Sequence, residues 1–113
     1  MILVTIDYVP GYEVTEVIGV IHGSTVRARF IAKDIIASIK NIIGGEIEEY
    51  TNLQRQARME ALHRLKQRAQ SIGADAVLGI RFSTSMIAQG ASEIMAYGTA
   101  VKIRPIAQSE SPQ

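Results

Sequence analysis

The chain has 113 residues, enough for one hydrophobic core and too few for two. With 47% hydrophobic and 20% charged residues it reads as globular rather than disordered, and a formal net charge of +1 gives it no field to draw in nucleic acid or an anionic membrane. The absence of cysteine excludes disulfides, thiolate zinc sites and thiol catalysis together. No charged-then-apolar leader opens the chain and no apolar run reaches membrane-spanning length, so a soluble cytoplasmic protein is expected.

In chain order, the apolar, β-branched stretch "MILVTID" reads as a short strand. Pro10-Gly11 suits a type II turn, proline presetting one φ and glycine supplying the positive one. "EVTEVIGVIHGSTVRAR" is rich in Val, Ile and Thr and predicts a long strand, bent at Gly19 or Gly23. The period then changes. In "IAKDIIASIKNIIGG", Ile31, Ile35, Ile39 and Ile42 share one side of a helix, while Lys33, Lys40 and Asn41 share the other. Gly44 and Gly45 end it.

"EIEEYTNLQRQARMEALHRLKQRAQSIG" predicts the longest helix. Glutamates at its start suit the helix dipole, Glu60 and Arg64 form an i,i+4 pair, and Gly73 stops it. Two strands follow, from Ala76 to Met86 and from Glu93 to Arg104, joined by a hairpin turn in "IAQGAS". Residues 1–104 read as a single domain and 105–113 as a flexible C-terminal tail.

The order β-β-α-α-β-β predicts an α+β, two-layer fold: a small twisted, mixed antiparallel sheet with two helices on one face. The helical crossover leaves the long strand and the third strand parallel, and the last strand fits between them, antiparallel to both. Strict alternation puts Leu78, Ile80 and Phe82 on one face, and Val77, Gly79, Arg81 and Ser83 on the other. In the last strand Met95, Tyr97, Thr99 and Val101 oppose Ala96, Gly98 and Ala100. If Phe82 pairs near Tyr97, the bulky sets coincide and take the helices. The glycines of the small-residue face, which also carries Arg81, then mark either a bulge or tight curvature of the strands or a surface against which a neighbouring subunit or a ligand lies.

Chemical motifs are sparse. His22 and His63 stand on different elements, neither with a second ligand at metal spacing, so capping or exposure is the favoured role. Glu46, Glu48 and Glu49 are oxygen donors of the kind a hard cation takes, and also an ordinary helix start. Arg58 falls in the apolar sector with Ala61, Leu62, Leu65 and Ala69, which calls for a carboxylate partner, Asp34 or Glu46, and reads chiefly as an ion pair between helices. The basic residues between Leu53 and Ile72 form no stripe and lack stacking aromatics, which disfavours nucleic acid. No phosphate loop and no Ser-His-Asp arrangement is present, which leaves an enzyme reading without assignable residues.

Three stretches, "IIGGEIEEY" (Ile42 to Tyr50), "GADAVLGIRF" (Gly73 to Phe82) and "AYGTAV" (Ala96 to Val101), resemble the YbjQ family, with Gly11-Tyr12 and Ala57-Arg58 agreeing in place. The family comprises small bacterial and archaeal proteins labelled "putative heavy-metal-binding". The resemblance implies a dodecin-subunit-like β-α-β-β core, with an extra N-terminal strand that promotes assembly into a ring, a pentamer. It names no ligand constellation that can be placed on this chain.

The leading expectation is therefore a non-enzymatic, ring-forming binding module for a divalent metal ion or small ligand. Its candidate ligand or intersubunit contacts are Glu46, Tyr50, Arg58, Arg81 and Tyr97. The alternatives are a structural or regulatory assembly partner without ligand and an enzyme of unknown reaction.

Overall fold

The computed structural model describes residues 1–28, 45–88 and 91–107, with side chains except those of 27–28 and 45–53. Its elements are β1 (Ile2–Leu3), β2 (Tyr12–Ala28), α1 (Gly45–Ser71), β3 (Ala76–Ala88) and β4 (Ala91–Pro105). The isoleucine-rich helix expected over 31–43 lies outside the described residues, as does the tip of the hairpin between β3 and β4.

The fold is α+β, with one four-stranded sheet in the order β1-β3-β4-β2. β4 sits between β3 and β2 and is antiparallel to both, so β2 and β3 run parallel, as the crossover argument requires. β1 adds to the far edge, parallel to β3.

The breakers act where their chemistry puts them. Gly11 has φ +83°, and the Tyr12 N–H donates to the Val9 carbonyl at 3.0 Å to close the turn. Gly73 has φ +76° and ends α1 in a Schellman motif: the Ala74 N–H donates to the Ala69 carbonyl and the Gly73 N–H to the Gln70 carbonyl. The opening segment is shorter as a strand than "MILVTID" implied, yet it still lies along β3. The Val4 N–H donates to the Val77 carbonyl, and the Val4 and Ile6 carbonyls accept from the Ile80 and Gly79 N–H groups. β3 thus has no bare edge along this stretch.

The assignment of the two faces is reversed from the expectation. Helix α1 lies on the small-residue face. Ala57, Ala61, Leu65 and Ala69 pack with Ile21, Val77, Ile80, Ile94, Ala96 and Ala100 into the main core. Alanine against alanine lets helix and sheet approach closely, and at Gly23 they nearly touch. A Cβ there would lie 2.2 Å from the Leu65 backbone nitrogen. Gly23 is therefore a seat for the helix rather than a bend.

β4 and the start of β3 are the reversed parts, with Val77 and Ala100 facing α1, and one extra residue at Gly79 then changes the phase of the rest of β3. Leu78 pairs with Thr99 and Arg81 with Tyr97, so Gly79 and Ile80 together oppose Gly98. Gly79 has φ +63°, the left-handed conformation of a glycine β-bulge. The bulge flips the phase of every later side chain in β3. Val77 and Ile80 end up on the helix side, and Leu78 and Arg81 on the other. Phe82 consequently pairs with Ala96, one place away from the expected Tyr97.

A second, smaller cluster forms at one end of the opposite face, where Val9, Ala76, Leu78 and Val101 are buried with Ile2, Val4 and Ile103 against them. The chain's own N-terminal segment covers that end. The molecule is long, 64 × 28 × 17 Å, with a radius of gyration of 18.7 Å against about 13 Å for a compact chain of this length. The strands account for it: 17 residues of β2 span about 56 Å, whereas 27 residues of α1 span about 40 Å.

Candidate functional site

Residues that pair directly across antiparallel strands point to the same side of a sheet. His22 pairs with Tyr97 and Tyr97 pairs with Arg81. Three chemically capable side chains, from β2, β4 and β3, therefore form one row across the face away from α1. The sequence marked Arg81 and Tyr97 separately; the register brings them together and adds His22. His22 lies in the interior of β2. Within one strand it has no partner of its kind, and only the pairing of three strands reveals the row.

Arg81 is already engaged within the chain. One terminal nitrogen donates to the Thr5 carbonyl and to the Ile80 carbonyl, both at 2.8 Å. It clamps the N-terminal segment onto β3. The expectation that Arg81 faces a small-residue surface does not hold, because the Gly79 bulge turns it to the bulky side with Tyr97.

Arg58 does not sit in the apolar sector. Its side chain is exposed, and the buried stripe of α1 is Ala57, Ala61, Leu65 and Ala69 at four-residue spacing. This stripe leaves Arg58 at its margin, and there a long cation reaches water instead of burying its charge. The backbones of Glu46 and Tyr50 belong to the first turns of α1, and their side chains, like Asp34, lie outside the described residues. The predicted Glu60–Arg64 pair is present at 2.6 Å, and Arg64 also donates to the Ser24 carbonyl at 2.6 Å, tying α1 to β2.

The row is flanked by apolar side chains. Along β2, Val14 pairs with Ile103, Val17 with Val101 and Val20 with Thr99. Their three-residue spacing would scatter them over both faces of a regular strand. Register shifts between Val14 and Glu16 and between Val17 and Gly19 bring all three into line on the open face. Val17 is 65% and Val20 79% exposed, and Tyr97 next to them 37%.

Among the described residues no three His, Asp or Glu side chains converge in a way that could hold a metal ion within one chain. Nor is any described helix long and apolar enough to cross a membrane.

A family model described as "Putative heavy-metal-binding", that of YbjQ, matches residues 1–104. A UPF0145 protein of Archaeoglobus fulgidus is 55% identical over 104 residues, covering 92% of this chain and 96% of the relative. One from Psychrobacter arcticus is 51% identical over 106 residues, covering 94% of this chain and 67% of the relative. A crystal structure of a Pediococcus pentosaceus protein of unknown function, of the DUF74 family, superposes with a TM-score of 0.61 over 92% of this chain and 98% of that one, at 18% identity, which is likeness of fold. With a family match that runs from Met1 to Arg104 and relatives about half identical over that length, the chain belongs to the YbjQ, or UPF0145, family.

Proposed function

We propose that this protein is a non-catalytic binding module that works as a homo-oligomeric ring in the cytoplasm, a pentamer as the family resemblance implies, and takes a heavy-metal ion or small ligand where subunits meet. The observation that carries the reading is the His22–Tyr97–Arg81 row, set on a face that, among the described residues, is covered at one end only. An imidazole and a phenol beside exposed valines form a surface that association would enclose and dry, and that strengthens polar contacts.

Exposed apolar side chains support assembly: Val17, Val20 and Tyr97 stand in water in or beside the row, where a neighbouring subunit would bury them. Since no metal-ligand cluster converges within the described residues of one chain, the ligand set in this reading draws on two copies. Glu46, Tyr50 and Arg58 are the contacts proposed to join Arg81, Tyr97 and His22 across that boundary.

One observation favours a ligand-free assembly module instead: the Arg81 guanidinium is spent on the Thr5 and Ile80 carbonyls, a structural use. Two measurements decide. Light scattering on the full chain should give a multiple of 12.3 kDa, and a lone particle of that mass overturns the module altogether. A ligand specific to the native state must stabilise it, by about 2.7 kcal/mol at a hundred times Kd. Divalent metals should therefore raise the melting temperature of the wild type and raise that of His22→Ala less. If no divalent metal moves it and the purified protein carries no ion, the metal part of the proposal is wrong and the ligand-free module stands.

A further inference from the structure

We infer that the ligand received at the His22–Tyr97–Arg81 row is a small oxyanion, carried as a phosphate or carboxylate group. The inference rests on the binding reading above and names the chemical class of the ligand.

Arg81 reaches this face only because of the Gly79 bulge. Without the extra residue, the alternation of β3 would turn its side chain toward α1. Bulges of this kind re-aim side chains next to functional sites. The guanidinium is also held in place before any ligand arrives. Its two hydrogen bonds, to the Thr5 and Ile80 carbonyls, both come from Nη1. Among the described residues, Nε and Nη2 donate to nothing. Those two nitrogens form the side of the guanidinium whose parallel N–H bonds fit two oxygens of a carboxylate or phosphate. A fork already fixed loses little freedom on binding.

Tyr97 stands directly across from Arg81, and His22 directly across from Tyr97, with Cβ atoms about 5 Å apart at each step. Neither ring makes a hydrogen bond to a described residue. The next row on the same face is Ser24, Met95 and Ser83, which adds two hydroxyls. Guanidinium, phenol, imidazole and hydroxyl can all donate, and neither row carries a carboxylate. Along the strands the first carboxylate on this face is Glu93, four residues from Tyr97 and about 14 Å away. Asp7, two residues after the clamped Thr5, makes no ion pair with Arg81. A surface of donors around a permanent cation attracts an anion, whereas a bare metal ion there would meet a like charge.

The test is calorimetric titration of the full chain with inorganic phosphate and with succinate, against sodium chloride at the same ionic strength. Saturable binding of either anion and none of chloride is expected, and the tighter of the two names the group. Arg81→Lys keeps the charge but loses the fork, and should weaken binding about tenfold while the far-UV spectrum stays folded. A wild type that binds neither anion better than chloride overturns the inference, and so does wild-type affinity in a folded Arg81→Lys. Should Arg81→Lys lose its folded spectrum, Tyr97→Phe decides, since it removes only the phenolic O–H. An about threefold loss of affinity is expected there, and unchanged affinity overturns the inference. The broader reading stands or falls on solution mass and on metal-shifted melting, so its failure and this one are told apart.

Discussion

Two glycines of this chain look alike in the sequence and do opposite things. Gly23 sits under the helix, where a Cβ would meet the backbone at Leu65, Arg64 and Ala61 at 2.2 to 2.7 Å. Backbone atoms cannot rotate away, so α1 would have to lift. Gly23→Ala should cost about 3 kcal/mol, at the upper end for overpacking, read as a lower urea midpoint with an unchanged slope. Gly79 has nothing within 4 Å of a Cβ, but its φ of +63° is unfavourable for any L side chain. Gly79→Ala should therefore cost about 1–2 kcal/mol through the backbone alone. Gly79→Asn should cost less, because asparagine tolerates that conformation. Equal costs for Ala and Asn would count against the left-handed bulge.

At the scale of elements, the N-terminal segment is held by main-chain bonds to β3, by its apolar contacts with Leu78 and Val101, and by Arg81. Arg81→Ala removes a charged donor from the Thr5 carbonyl, worth about 1.5–3 kcal/mol when the bond is intact. The loss should be local. Amide exchange at Val4, Ile80 and Gly79 should speed up, while the amides of α1 near Leu65 keep their protection. If the whole sheet exchanges faster, the clamp is not local and Arg81 holds more than the strap. Helix α1 shows the same economy in another form. Three alanines and one leucine make its buried stripe, so its hold on the sheet comes from closeness rather than from bulk.

At the scale of the molecule, the decisive fact is the mismatch between a long sheet and the shorter helix laid on it. Among the described residues, surface is left over on the face away from α1 and along the β2 edge. If association covers it, folding and assembly are linked. The melting temperature should then rise as protein concentration is raised a hundredfold. A transition independent of concentration would mean that each chain is stable alone and that the surplus surface is tolerated in water.

Much of the architecture was legible in the residues. β-branched runs, a helix bounded by glycine and a β-hairpin order are local signals, and the crossover rule then placed β4 between β2 and β3. The relation to the YbjQ family was likewise carried by three short stretches. Side-chain direction was not legible beyond Gly79, since one inserted residue shifts the phase of everything after it, and "GADAVLGIRF" permits both phases. For the same reason the row His22–Tyr97–Arg81 and the valine strip could not be read from the chain. Each exists only through the register between strands distant in sequence, and packing against α1 selects that register. The amino-acid order determined which elements form and how they connect; the tertiary structure decided which face the helix takes and which is left open, because a strand's two sides are exchanged by a single step.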